Sequence, residues 1–358
     1  MTTAGSTIES ASAPSFSPRS RQQMKVAVVT LIGAVVLAVN MLVPASRFAD
    51  YDAYLWITDR LYYFPDEAWY RFEAASHFVL LMCRIATGST EGGVDLAYRL
   101  LGLGFVTAMA LFAKREEVDW RGILALFTLY GALLAFVTLR ATPAYLLVAL
   151  AALQANKGQR ICLLSGGAAV LFHISAVLAL PPLLVALAHN RYGLFQWTRR
   201  SALPIIAGAV LYGAFFLLFQ DLLNELLLSL LNIVPFLTKY LVYTSALDPA
   251  SGVSQAGEGL NRTAHLAYAG LVSAFAFAFM LVKDDECRKM RAFVIVSFVI
   301  FLVTQFSPIT AFRQSPFWTI PAMLIFPWRK LSPPGPVALL FVLVCAALFA
   351  LTFPAVLA

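Results

Sequence analysis

Long apolar stretches that can span a bilayer recur along nearly the whole chain, and no other feature constrains it as strongly. Candidate spans lie near 25–43, 95–113, 121–139, 141–156, 161–188, 203–220, 264–282, 292–307, 315–328 and 336–353. The 28 residues of 161–188 sit between the polar segments 156–160 and 189–200. They suit two short helices that leave and return to one side, with His173 at the reversal. The expected fold is therefore all-α: a polytopic transmembrane protein of about eleven membrane helices, some of them short. Amphipathic interfacial helices over 71–86 and 220–243 join them at the outer face.

Composition excludes a water-soluble alternative, since 60% of the residues are apolar, 13% are charged and the mean hydropathy is +0.78. Residues 1–23, rich in Ser, Ala and Pro, read as a disordered cytoplasmic tail, and 24–358 as one polytopic membrane domain. The 18 residues from Val26 to Val43 lack a small-residue cleavage site and fit a membrane span better than a signal peptide. The four cysteines have no paired spacing, so no disulfide framework or zinc site is expected.

The formal net charge of +7 does not point to nucleic acid, because Lys and Arg are spread over short segments between apolar runs. That distribution is a topology signal. With a cytoplasmic N-terminus, 17 of the 26 basic residues fall inside, whereas 12 of the 19 acidic residues fall outside, as the positive-inside rule requires. Eight of the nine outer basic residues are Arg, the side chain whose planar fork matches phosphate.

This topology gathers the unusual polar residues at the outer ends of helices. Arg140 precedes Pro143, a residue suited to the first turn of a helix, so a guanidinium and a helix N-terminus would favour an anion such as a diphosphate together. Snorkelling to the headgroups is the plainer alternative. Arg313 lies between Pro308 and Pro316, where irregular backbone lining a cavity is expected, or else an interfacial anchor. Arg262 and His265 follow a Gly- and Ser-containing stretch, and a solvated loop end is the competing account. His173 sits among apolar neighbours, as either a functional or a structural histidine.

The acidic and aromatic loop from Asp50 to Glu73 mixes carboxylates with rings, the two chemistries that handle sugar hydroxyls and sugar faces. Its candidates are Asp52, Tyr54, Asp66, Glu67, Tyr70 and Arg71, with an interfacial aromatic belt as the alternative. Glu73, His77 and Arg84 share one face of the helix expected over 71–86. No phosphate-binding glycine loop, dinucleotide fingerprint or zinc motif occurs, and Asp284, Asp285 and Glu286 read as a solvated cytoplasmic cluster.

Asp52 with Tyr54, then Glu67-Ala68-Trp69-Tyr70, Leu139-Arg140 opening a helix, Phe172-His173-Ile174-Ser175-Ala176 and Arg313 near a late helix form an ordered set. In that order and spacing the chain resembles the EpsG-like branch of the Wzy-type exopolysaccharide and O-antigen polymerases. The family's helix usually continues after the arginine with polar or small residues, whereas Thr142-Pro143 stands here.

The resemblance implies a multi-pass protein of the bacterial inner membrane that transfers a polyprenyl-diphosphate-linked glycan onto an incoming lipid-linked repeat unit at the periplasmic face. It implies no metal, cofactor or nucleotide sugar. Partners would be the lipid-linked oligosaccharide, membrane lipid and, in the cell, a chain-length regulator, a flippase and export proteins. Arg140, Arg313 and Arg262 would hold the diphosphate, and Glu67 or His173 would act as base. Asp52, Tyr54, Asp66, Tyr70, Arg71 and His265 would contact the glycan. An O-antigen ligase, a membrane O-acyltransferase and a lipid-linked oligosaccharide flippase are the rival functions.

Overall fold

The structure is a computed structural model that describes residues 18–64, 73–193, 262–306, 308–331 and 336–357, with isolated positions between 204 and 229. All of its helices and turns fit the expected all-α class, and one isolated antiparallel bridge, Phe48 to Leu357, is the sole β pairing among the described residues. Among the described residues, three helices are long and apolar enough to cross a membrane, over Arg19–Leu42, Thr90–Ala113 and Ile174–Tyr192. Six shorter apolar helices accompany them. The expected span 203–220 lies largely outside the described residues.

The first helix, α1, runs Pro18–Leu42 and so begins inside the segment expected to be a tail. Pro18 suits a first helical position, and Arg19, Arg21 and Gln22 are good helix formers. Helix α2, Tyr51–Tyr63, occupies much of what was expected to be a loop. Tyr51, Tyr54, Ile57, Thr58 and Leu61 are its buried residues, a three-and-four spacing that drives a helix against the core.

Helices α3, Ala74–Thr87, and α4, Thr90–Ala113, form an antiparallel hairpin. Gly88 closes α3 with φ 73°, a left-handed conformation natural to glycine, and the Ser89 side chain accepts a hydrogen bond from Gly92 N to start α4. A side chain at Gly93 would stand 2.7 Å from Arg84 Cα, so glycine is what lets the two backbones approach. Helix α3 turns its polar residues Ser76 and His77 inward alongside Leu80 and Cys83, whereas Phe78 is 63% exposed. The helix is thus amphipathic, as expected over 71–86, with large apolar side chains on its exposed side.

Helix α5, Trp120–Leu126, continues through a π-helical stretch at Phe127–Gly131 into α6, Ala132–Phe136, and the chain then breaks over 137–140. Helix α7, Ala141–Asn156, is the centre of the bundle, and Ala144, Ala149, Ala151, Ala152 and Ala155 are fully or almost fully buried. These small side chains let neighbours pack closely, the usual solution between helices in lipid. Its neighbours include α8, Cys162–Phe172, and α9, Leu180–Tyr192.

The segment α8 to α9 is the expected hairpin. Arg191 donates to the Gly158 carbonyl at 3.2 Å and Arg160 donates to the Tyr192 hydroxyl at 3.1 Å, so the chain returns to where it left. His173 is the extended hinge, with a 3-10 stretch at Ile174–Ala179 after it.

Helices α10, Arg262–Leu281, α11, Asp285–Val303, α12, Pro308–Gln314, and α13, Pro316–Ile325, follow. The backbone around Arg313 is thus helical, not irregular, because each proline takes the first position of its own short helix, where its missing N–H costs nothing. Helix α14, Trp328–Leu331, leads to α15, Pro336–Thr352.

One end of the bundle collects the basic loops. Lys25 donates to the Arg115 carbonyl at 2.7 Å, Lys157 pairs with Glu117 at 3.0 Å, and Asn156 donates to Glu286 at 2.9 Å. Helix α7 carries the chain from this end to Arg140, about 24 Å away at 1.5 Å per residue.

Candidate functional site

Three segments far apart in sequence meet at one buried carboxylate. Glu73 precedes α3 with 8% of its side chain exposed. Its Oε1 lies 2.7 Å from Nδ1 of His173, and its Oε2 accepts a hydrogen bond from Arg140 at 2.7 Å. A cationic fork on one oxygen and an imidazole on the other favour the ionised carboxylate.

Local structure positions each member. Arg140 occupies the cap position of α7, and Thr138 and Thr142 tie the preceding break together through their hydroxyls at 2.7 Å. Thr142 also donates to the Leu134 carbonyl at 2.9 Å, bracing the turn that aims Arg140. His173 stands where α8 ends, and Ser76 of α3 donates to the Phe172 carbonyl at 2.7 Å. That bond satisfies a carbonyl the helix end would leave open and holds α3 against the hinge. His77, one turn beyond Glu73, is buried on the same face.

A histidine that bonds a carboxylate through Nδ1 presents Nε2 as its other ring nitrogen. Nε2 of His173 is buried and has no hydrogen-bond partner among the described residues. A carboxylate orienting an imidazole whose far nitrogen is unpaired among the described residues is an arrangement that general-base chemistry can use. Arg140 adds a cation beside it, and the Tyr54 ring lies 5.8 Å from the guanidinium carbon.

Of the residues singled out in the sequence, Arg140, His173 and Tyr54 come together here. Arg313 stands nearby: its carbonyl accepts the Tyr145 hydroxyl at 2.9 Å, and Tyr145 is within electrostatic reach of both Arg313 and Tyr54. Helix α12, which carries Arg313, packs on the 3-10 stretch that follows His173. Asp52 points away on the exposed side of α2. Asp66, Glu67, Tyr70 and Arg71 lie outside the described residues, as do the side chains of Arg262 and His265.

Glu73 was not among the expected site residues. The available signal was its position on the same helical face as His77, opposite Phe78, Val79 and Met82, since a lipid-facing helix turns its polar face inward.

Fold and site together define an all-helical protein with membrane-length helices and a recessed Glu–His–Arg constellation. Comparison of the chain with known protein families, curated proteins and solved structures gave no match.

Proposed function

We propose that this protein is a polysaccharide polymerase of the bacterial inner membrane, a metal-independent glycosyltransferase that moves a glycan from its polyprenyl diphosphate onto an incoming lipid-linked repeat unit. In this reading the N-terminus is cytoplasmic, about eleven helices cross or enter the membrane, and the reaction takes place toward the periplasmic side. The observation that carries it is the single carboxylate shared by Arg140 and His173.

The reaction requires a base for the attacking hydroxyl and a cation for the departing diphosphate, within reach of one another. His173 takes the acceptor hydroxyl's proton on Nε2 as that oxygen bonds to the anomeric carbon of the donor. The bond from that carbon to the diphosphate oxygen breaks, and its electron pair leaves with the diphosphate beside Arg140. Glu73 orients the imidazole, so it is a positioning residue. The acidic and aromatic segment from Asp50 onward would contact the glycan.

Deletion of the gene in the producing bacterium tests this reading. Single repeat units should then accumulate on the lipid carrier at the outer leaflet. Accumulation at the inner leaflet would point to a flippase, and full-length polymer lacking acetyl groups to an acyltransferase.

A further inference from the structure

Beside the Glu73 hub, a cleft of about 470 Å³ opens between α3, α4 and α7. It starts at Arg140, Ser76 and Phe172 and runs to Leu111 and Leu150. From Arg140 to Leu150 is about 15 Å along α7, half of a hydrocarbon core of about 30 Å. Arg140 is the only charged residue in the described lining, and its side chain is 28% exposed.

The walls below Arg140 offer nothing to water. The two hydroxyl side chains of the lining are already committed, Ser76 to the Phe172 carbonyl and Thr142 to the Leu134 carbonyl. An apolar chain with an anionic head at Arg140, beside its ion pair with Glu73, fits these walls. Gly104 makes the room: a side chain there would meet nothing within 4 Å, so the missing side chain is part of the cleft.

We propose that this cleft seats the first isoprene units of a polyprenyl diphosphate, with the diphosphate at Arg140 and Gly104 setting the width, a proposal that rests on the donor class assigned above. The carrier then enters sideways from the bilayer, and its head arrives at Arg140, which shares Glu73 with His173. A phospholipid would place an unreactive phosphodiester against the same base, which is why the isoprenoid is the favoured occupant. Recognition ends with the cleft, so affinity should rise with the first few isoprene units and then level off.

The test uses the full chain in phosphatidylcholine nanodiscs and a geranylgeranyl diphosphate probe with a photoreactive group at its far end. The expected result is saturable labelling of peptides from α4 and α7, competed by farnesyl diphosphate but not by equal phosphatidylglycerol or inorganic diphosphate. Gly104→Trp should lower labelling at least tenfold and Gly104→Ala should not. Labelling confined to other helices, or equal competition by phosphatidylglycerol, overturns the proposal. So does undiminished labelling in a folded Gly104→Trp variant; if that variant fails to fold, the wild-type label map decides alone. Labelling requires no turnover, so a protein that labels in the cleft yet makes no polymer refutes the polymerase reading only, and the converse refutes the cleft only.

Discussion

Nδ1 of His173 lies 2.7 Å from Oε1 of Glu73, and 100 residues of chain separate the two. Both end a stretch of structure, Glu73 as the residue before α3 and His173 as the hinge after α8, so the contact ties two helix ends together. It also sets the direction of the imidazole, and the following consequences can be measured.

Glu73→Gln keeps the shape of the side chain and removes its charge. The imidazole then loses the carboxylate that orients it, and Arg140 loses its ion pair. Polymer formation should fall by about 100-fold or more, the scale of a lost general-base contribution. Quantifying polymer at matched protein levels checks this, and near-normal product would remove Glu73 from the reaction.

Arg140→Lys preserves the charge but replaces a planar fork with a point cation. Activity should fall by roughly tenfold to 100-fold, the loss expected when bidentate anion geometry disappears at the departing group. The measurement is the turnover of a lipid-linked repeat unit, and an unimpaired variant would show that only charge matters at this position.

Tyr145→Phe deletes the hydroxyl that donates to the Arg313 carbonyl. With the carbonyl left less satisfied in a part-buried setting, stability should drop by about 1 kcal/mol. Thermal unfolding in detergent measures the effect, and a variant as stable as the parent would show that water takes over the bond.

Glu117 supplies a pH dependence. Burial alone would raise its pKa, yet hydrogen bonds from its own backbone and from Lys157, with Arg115 beside it, hold the carboxyl below its ordinary 4.5. Its stabilising contribution is therefore complete above that ordinary value and disappears as pH falls through the lower folded value. Glu117→Gln should lower the melting temperature at neutral pH and converge with the parent in strong acid. Parallel pH profiles for the two proteins would contradict this.

Much of the architecture was legible because lipid imposes simple periodicity. The span over 141–156 matches α7 at both ends, and the excess length of 161–188 correctly implied a hairpin with His173 at its turn. Arg140 and His173 stood out as polar residues where apolar ones are the rule. The helix α2 was hidden by its acidic residues, although Tyr51, Tyr54, Ile57, Thr58 and Leu61 already carried helical spacing. Prolines on either side of Arg313 suggested a break, but a proline at the first position starts a helix as readily as it ends one. Glu73 was hidden for a different reason: its meaning depends on partners 67 and 100 residues away, and no local pattern encodes such a meeting.

The inward polar face of α3 also bears on how the molecule is made. Glu73 leaves the ribosome 100 residues before His173, an interval of roughly 5 to 20 seconds at ordinary synthesis rates. An ionised carboxylate is costly in an apolar interior without its partners, so the buried position of Glu73 becomes favourable only once Arg140 and His173 are in place. The Glu73, Arg140 and His173 cluster can thus form only once the chain has been made as far as His173, the last of the three to be synthesised.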